Sequence, residues 1–183
     1  MNNKRVIPRL DIKGPNLVKG IHLEGFRVLG KPEDFAKLYY EQGADELIYQ
    51  DTVASLYQRN SLSEIISRTI EDVFIPITVG GGIRSLSDIN KVLRAGADKV
   101  CINTSAIKNP NFIKEASREF GSSTIVIAIE VCLQKDGKYL AYTDNGREYT
   151  GVDALEWAKQ AEELGAGEIL LTSIDKEGTG EGY

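Results

Sequence analysis

The sequence is poor in the residues that build metal centres and disulfide frameworks, with one histidine and two cysteines in 183 residues. Cys101 and Cys132 lie far apart and share no ligand spacing with His22, so no metal site is expected, and both thiols are expected to be reduced and packed. No apolar run approaches the length of a membrane span, and Met1 to Arg5 leads into a strand without a signal-peptide core, so a cytoplasmic protein is expected. Clusters of basic residues are also missing. With a net charge of -5 and a pI near 5.1, general binding to nucleic acid or an anionic membrane is disfavoured, while a small acidic substrate can still have a local site. The length is too short for two well-separated domains, and 42% hydrophobic content suffices for one sizeable core.

What the chain does have is a strand-to-helix joint of unusual composition. Ile75 to Val79 is apolar and β-rich, Gly80, Gly81 and Gly82 follow, and Ser85 with Asp88 reads as a capped helix start. Glycines allow close backbone approach, and the first N–H groups of a helix can receive an anion. A glycine turn alone is weak, because such turns are commonly plain geometry. Here the same unit recurs around it.

Arg5 to Asp11 is predicted as the first strand, followed by a glycine-spaced loop over 12–31 that reads as a lid. Pro32 opens a helix with Phe35, Leu38 and Tyr39 inward, and Glu46 to Gln50 is the second strand. Ser61 and Glu64 cap the next helix. After the glycine joint come a helix, a fourth strand at Lys99 to Asn103, a helix opened by Asn109 and Pro110, and a fifth strand at Thr124 to Glu130. A hairpin is inserted over 131–149 around Lys135 to Lys138. Thr150 and Asp153 cap a helix carrying Leu155, Ala158, Ala161 and Leu164 inward, and Glu168 to Thr172 is the sixth strand. His22 is assigned to the lid's packing or solvent, and Trp157 to helix packing.

The helix-to-strand joints echo one another as Gly43-Ala44-Asp45, Gly96-Ala97-Asp98 and Gly165-Ala166-Gly167. Repeated βα units imply a parallel sheet, doubly wound or closed as a barrel. Both architectures gather ligands at the carboxyl ends of strands. Those ends carry Asp11, Asp51, Gly80 to Gly82, Asn103 with Thr104, Glu130, and Ser173 with Asp175. Any one of these residues is ordinary at a loop start; their convergence on one rim points to a site. Asp11 and Glu130 can divide acid and base roles if their environments separate their pKa values. At the strand starts, Arg5, Glu46, Lys99 and Glu168 can form a charged ring or simply be solvated.

Arg5 to Asp11, Leu17 to Gly20, Gly43 to Leu47, Thr78 to Ser85, Gly96 to Val100, Ile102-Asn103 and Gly165 to Asp175 closely resemble the cyclase subunit of imidazole glycerol phosphate synthase, over essentially the whole chain. The resemblance implies a (β/α)8 TIM-type barrel. It also implies a reaction of histidine synthesis, in which ammonia from a glutaminase partner converts a bis-phosphorylated ribulosyl intermediate into imidazole glycerol phosphate and an aminoimidazole carboxamide ribotide. No cofactor is implied. Carried over residue by residue, Asp11 and Glu130 match the catalytic carboxylates, Lys19 a lid lysine and Asp51 an active-site acid. Gly81, Gly82, Asn103 and Thr104 match the first phosphate site, and Asp175 and Gly178 the start of the second. Arg5, Glu46, Lys99 and Glu168 match the ammonia gate, and Asp98 the glutaminase contact.

Two departures stand out. Glu130 replaces an aspartate, and a shift of about 1 Å at a reacting group can cost about a hundredfold. The stretches Pro8-Arg9-Leu10-Asp11 and Gly14-Pro15-Asn16 differ too, and together these resemble a paralogous branch that amidates sugars of surface polysaccharides, the alternative reading. A phosphate-binding barrel without chemistry is a third. Six predicted strands also fall short of eight, so a fragment of a longer protein is expected, with its first and sixth strands left as edges.

Overall fold

The computed structural model describes residues 4–54 and 62–182, and its strands and helices alternate as the sequence predicts. The strands are β1 (Arg9–Lys13), β2 (Asn16–Ile21), β3 (Glu24–Gly30), β4 (Leu47–Asp51), β5 (Ile77–Gly80), β6 (Lys99–Ile102), β7 (Ile125–Leu133), β8 (Tyr139–Thr143), β9 (Glu148–Asp153) and β10 (Glu168–Ser173). The helices are α1 (Pro32–Glu41), α2 (Ser63–Thr69), α3 (Leu86–Arg94), α4 (Thr104–Lys108), α5 (Asn111–Phe120) and α6 (Ala154–Glu163). Strands β1, β4, β5, β6, β7 and β10 pair in parallel in that order. The β2–β3 hairpin pairs antiparallel onto the end of β1, and β8–β9 onto the end of β7. Six parallel strands with helices in the connections are the βα units of a TIM-type barrel.

Register separates two faces. The outer face carries Leu10, Ile12, Leu47, Tyr49, Ile77, Val79, Val100, Ile102, Ile125, Ile127 and Ile129, all buried in the main core together with helix residues such as Ala36, Ile66, Ile89, Ile113 and Trp157. The inner face has its own small cluster of Cys101, Val126 and Ala128, with Leu170 against it. A continuous β-branched run such as Ile125 to Ile129 therefore belongs to a strand covered on both sides.

The repeated joint has a physical explanation. Asp45 hydrogen-bonds Val6 twice, its N–H donating to the Val6 carbonyl at 3.0 Å and its carboxylate accepting from the Val6 N–H at 2.7 Å. Asp98 does the same to Ile77, at 2.9 and 2.8 Å. Asp98 thus ties the start of β6 to the start of β5, and Asp45 ties the approach to β4 to the residues leading into its parallel neighbour β1. At Gly167 the N–H bonds the Ile125 carbonyl at 3.0 Å, but a side chain is barred, because a Cβ would meet the Ser122 carbonyl oxygen at 2.3 Å.

Several local expectations are corrected. The first strand begins at Arg9 rather than Arg5, since Pro8 has no N–H for a ladder. Residues 12–31, expected as an irregular loop, end β1 and form the β2–β3 hairpin. The helix α6 is capped by Asp153 alone, whose carboxylate accepts from the N–H groups of Leu155 and Glu156; Thr150 lies in β9. Leu155 and Leu38 are exposed rather than inward. The fourth predicted helix starts at Asn111, with Pro110 as its cap residue. Ser61 lies outside the described residues, and with it the capping box expected there. The cap at Ser85 is present: its hydroxyl accepts from the Asp88 N–H at 3.2 Å, and the Asp88 carboxylate accepts from the Arg84 N–H at 3.1 Å.

Candidate active site

The carboxyl ends of the parallel strands surround a cavity of about 970 Å³ lined by Asp51, Gly81, Gly82, Asn103, Thr104 and Glu130, among others. Glycine at 81 is demanded by the sheet: its φ is +100°, and a Cβ would lie 2.5 Å from the Asp51 carbonyl oxygen. The Ser85–Asp88 cap already occupies N–H groups at the start of α3, so that helix end is less open to an anion than its glycines alone suggest. The short α4, by contrast, begins at Thr104 on the cavity wall, and its preceding Asn103 makes no side-chain cap.

Glu130 is buried on the inner face near the end of β7. One of its carboxylate oxygens accepts from Asn103 Nδ2 at 3.1 Å and from the Gly146 N–H at 2.9 Å. Burial pushes its carboxyl up; Arg9 and the Gly146 N–H pull the other way without cancelling that, while Asp11 and Asp144 add to it. Thr104 and Asp144 pair beside it, the Asp144 N–H donating to Thr104 Oγ1 at 3.3 Å.

Asp11 is 1% exposed in the middle of β1. Its Oδ1 accepts from Arg9 Nε at 2.8 Å, and its Oδ2 faces Lys19 Nζ at 3.4 Å. Lys19 is also ion-paired with Glu177. Over this half of the site the β2–β3 hairpin and the segment after β10 close on each other. The His22 N–H donates to the Glu177 carbonyl at 2.9 Å, His22 Nδ1 lies 2.9 Å from the Ile174 carbonyl oxygen, and Asn145 Nδ2 donates to the Leu23 carbonyl at 3.2 Å. Gly178 packs backbone to backbone on the hairpin, where a Cβ would lie 2.3 Å from the Gly20 carbonyl oxygen.

The expected residues thus fall into two groups. Asp51, Gly81, Gly82, Asn103, Thr104 and Glu130 share the open cavity, while Lys19 reaches Asp11 from the hairpin. Asp175 is engaged elsewhere, accepting from the Leu133 N–H at 2.8 Å and from the Cys132 thiol at 3.2 Å. Sequence reasoning did not single out Arg9, Thr172 or Glu177. Arg9 was within reach, because a residue two places before Asp11 on a strand shares its face; Glu177 needed the fold.

At the other end of the barrel the four charged residues do form one network. Lys99 Nζ donates to Glu46 Oε2 at 2.9 Å and to Glu168 Oε1 at 2.8 Å, and Arg5 pairs with both glutamates. Burial alone raises Glu168, but Lys99 and Arg5 outweigh it and leave the carboxyl below its usual range. Burial works against the charge on Lys99, and the two glutamates more than restore it. Above this ring a smaller space of about 280 Å³ is walled by Ile48, Thr78, Val126 and Leu170. Asp98 is exposed, its carboxylate bonded to Ile77. Among the described residues no helix is long and apolar enough to cross a membrane, and no group of His, Cys, Asp and Glu could hold a metal ion.

Comparison with known proteins gives a consistent result. The family described as Histidine biosynthesis protein matches residues 5–183. The chain is similar to the imidazole glycerol phosphate synthase subunit HisF of Legionella pneumophila, with 62% identity over 183 residues, covering 100% of this chain and 86% of that relative. The HisF subunit of Methanocaldococcus jannaschii is 50% identical over 202 residues, with 100% of this chain and 74% of the relative covered. That of Alkaliphilus metalliredigens is 46% identical over 183 residues, with 73% of the relative covered.

Proposed function

The chain belongs to the Histidine biosynthesis protein family, among the HisF subunits of imidazole glycerol phosphate synthase, and from that membership we propose how its residues share the work. It is a cyclase subunit of histidine biosynthesis, a lyase, and the sugar-amidation alternative is not favoured by relatives that carry the histidine-pathway name. As a subunit of a synthase it works with a partner; in our reading this is a glutaminase that docks at the Asp98 end of the barrel and delivers ammonia through the Arg5–Glu46–Lys99–Glu168 gate.

The substrate in this reading is the bis-phosphorylated ribulosyl intermediate. One phosphate sits against Gly81, Gly82, Asn103 and Thr104, where a glycine turn and a helix start line the large cavity. The second is received where Gly178 and Asp175 begin the segment after β10, with Lys19 turning from Glu177 to the phosphate as the hairpin moves. Asp51 stands beside the first phosphate site. Addition of ammonia to a ketone requires a proton delivered to oxygen and another taken from nitrogen. Glu130, whose carboxyl is raised by burial, is suited to deliver the first, and Asp11, ion-paired to two cations, to accept the second. The products are imidazole glycerol phosphate and the aminoimidazole carboxamide ribotide.

The observation that carries this reading is the burial of two carboxylates on the inner face of one barrel, at the end opposite a charged ring. The test is ammonia-driven turnover of full-length protein and its Asp11→Asn variant. Asparagine fits the same space, so a folded variant with turnover reduced by at least about a hundredfold is expected. Retained turnover would remove Asp11 from the chemistry.

A further inference from the structure

Arg9 is a cation in the middle of the barrel's inner face, between the charged ring at the strand starts and the carboxylates at the strand ends. Its side chain is only 16% exposed. Two of its three nitrogens are committed: Nε donates to Asp11 Oδ1 at 2.8 Å, and Nη1 reaches across to Thr172 Oγ1 on β10 at 3.0 Å. The third, Nη2, is buried with no hydrogen-bond partner among the described residues. Leaving a buried N–H of a charged group unpaired is costly, and a guanidinium offers donors only.

The surroundings limit what that nitrogen can receive. Toward the charged ring the inner face is Val126, Ala128 and Leu170 with Cys101, whose thiol burial pushes up to about 12, so it stays neutral. A charged visitor would lose its water in crossing that stretch, and the charge of Arg9 is already balanced by Asp11, Glu130 and Glu177. A small neutral molecule with a lone pair, water or ammonia, escapes that desolvation cost. Ammonia has such a lone pair; ammonium does not.

We propose that Arg9 Nη2 is a docking point for neutral ammonia inside the barrel, receiving its lone pair beside Asp11 at the inner end of the route from the charged ring. The assignment rests on the ammonia-using reading above. Arg9 thereby does two things at once: Nε fixes the aim of Asp11, and Nη2 holds ammonia next to it until the hydrogen bond breaks and frees the lone pair for attack.

Two measurements on the full-length protein test this. In steady-state turnover with free ammonium salt, Arg9→Met raises the KM for ammonia about tenfold or more, the value of one hydrogen bond to a charged donor, and Arg9→Lys recovers part of it. The KM for the bis-phosphate stays within about twofold, which a general loss of site geometry would not allow. An unchanged ammonia KM in Arg9→Met, or a rise confined to the bis-phosphate, would overturn the proposal. The second measurement needs no turnover and therefore separates failure of this proposal from failure of the cyclase reading. Side-chain nitrogen spectra of arginine-labelled wild type, assigned by the peaks missing in Arg9→Lys, are compared in ammonium chloride and potassium chloride at mildly alkaline pH. A shift of the Arg9 Nη2 resonance in ammonium alone supports docking, and identical spectra overturn it.

Discussion

Replacing Lys99 with methionine removes the centre of the charged ring while keeping the aliphatic stem. The lysine is 14% exposed and bonds Glu46, itself 9% exposed, at 2.9 Å and Glu168, 34% exposed, at 2.8 Å. Removing one partner of a fully buried pair costs about 3–5 kcal/mol. Here the cost is smaller, because Arg5 still faces both glutamates and water reaches Glu168. A loss of about 2 kcal/mol is expected, equivalent to a fall in Tm of roughly 4–8 °C for a chain of this size. The pH dependence follows from the shifts. Glu168 is lowered, so its contribution is present above the ordinary carboxylate pKa and disappears as pH falls through the lowered value. Lys99 is raised, so its share is full below the ordinary lysine pKa and is lost only as pH climbs through the raised value. The difference between wild type and variant is therefore level across neutral pH and shrinks in acid. Urea midpoints at a series of pH values from neutral to below the lowered carboxylate pKa measure it. A difference below about 0.5 kcal/mol at neutral pH, or one that persists undiminished in acid, would refute the idea that this lysine is held by the two glutamates.

Other consequences can be checked separately. Glu130 is raised, so its contribution to stability is full below the ordinary carboxylate pKa and lost as pH rises through the raised value. Glu130→Gln, which keeps a carbonyl for Asn103 and the Gly146 N–H, should gain stability over wild type above that value while losing turnover; thermal melts across pH compare the two. Gly178→Ala forces a left-handed φ of +74° on a side chain and drives it against the Gly20 carbonyl. It should destabilise by about 2 kcal/mol or more, and hydrogen exchange at the His22 amide, bonded to Glu177, should accelerate first. Ser85→Ala removes the α3 cap and should cost about 1 kcal/mol by urea unfolding, with ammonia-driven turnover kept.

The alternation of strand and helix was legible because the outer face is written in β-branched residues and helix ends are marked by Pro32, Ser85, Gly43 and Gly96. The β2–β3 hairpin was not. Its turn places His22 and Leu23 at φ of +54° and +62°, where a sequence rule looks for asparagine and glycine. Bonds from Glu177, more than 150 residues along the chain, support that turn, and no local pattern can announce them. The rim residues were readable from strand ends, and Glu130 was found that way. What sequence could not supply was the meeting of the hairpin with the segment after β10 beside Asp11, or the single nitrogen of Arg9 without a partner among the described residues. Repetition of Gly-Ala-Asp was visible from the start, but its cause, an aspartate clasping the neighbouring strand or the residues leading into it, required the hydrogen bonds.

The most direct test of the account is product formation by the full-length protein from the bis-phosphorylated ribulosyl intermediate and free ammonium, with the glutaminase left out. Imidazole glycerol phosphate and the aminoimidazole carboxamide ribotide should accumulate in equal amounts. A folded protein that binds the bis-phosphate yet forms neither product would contradict the assignment of Asp11 and Glu130 as its acid–base pair.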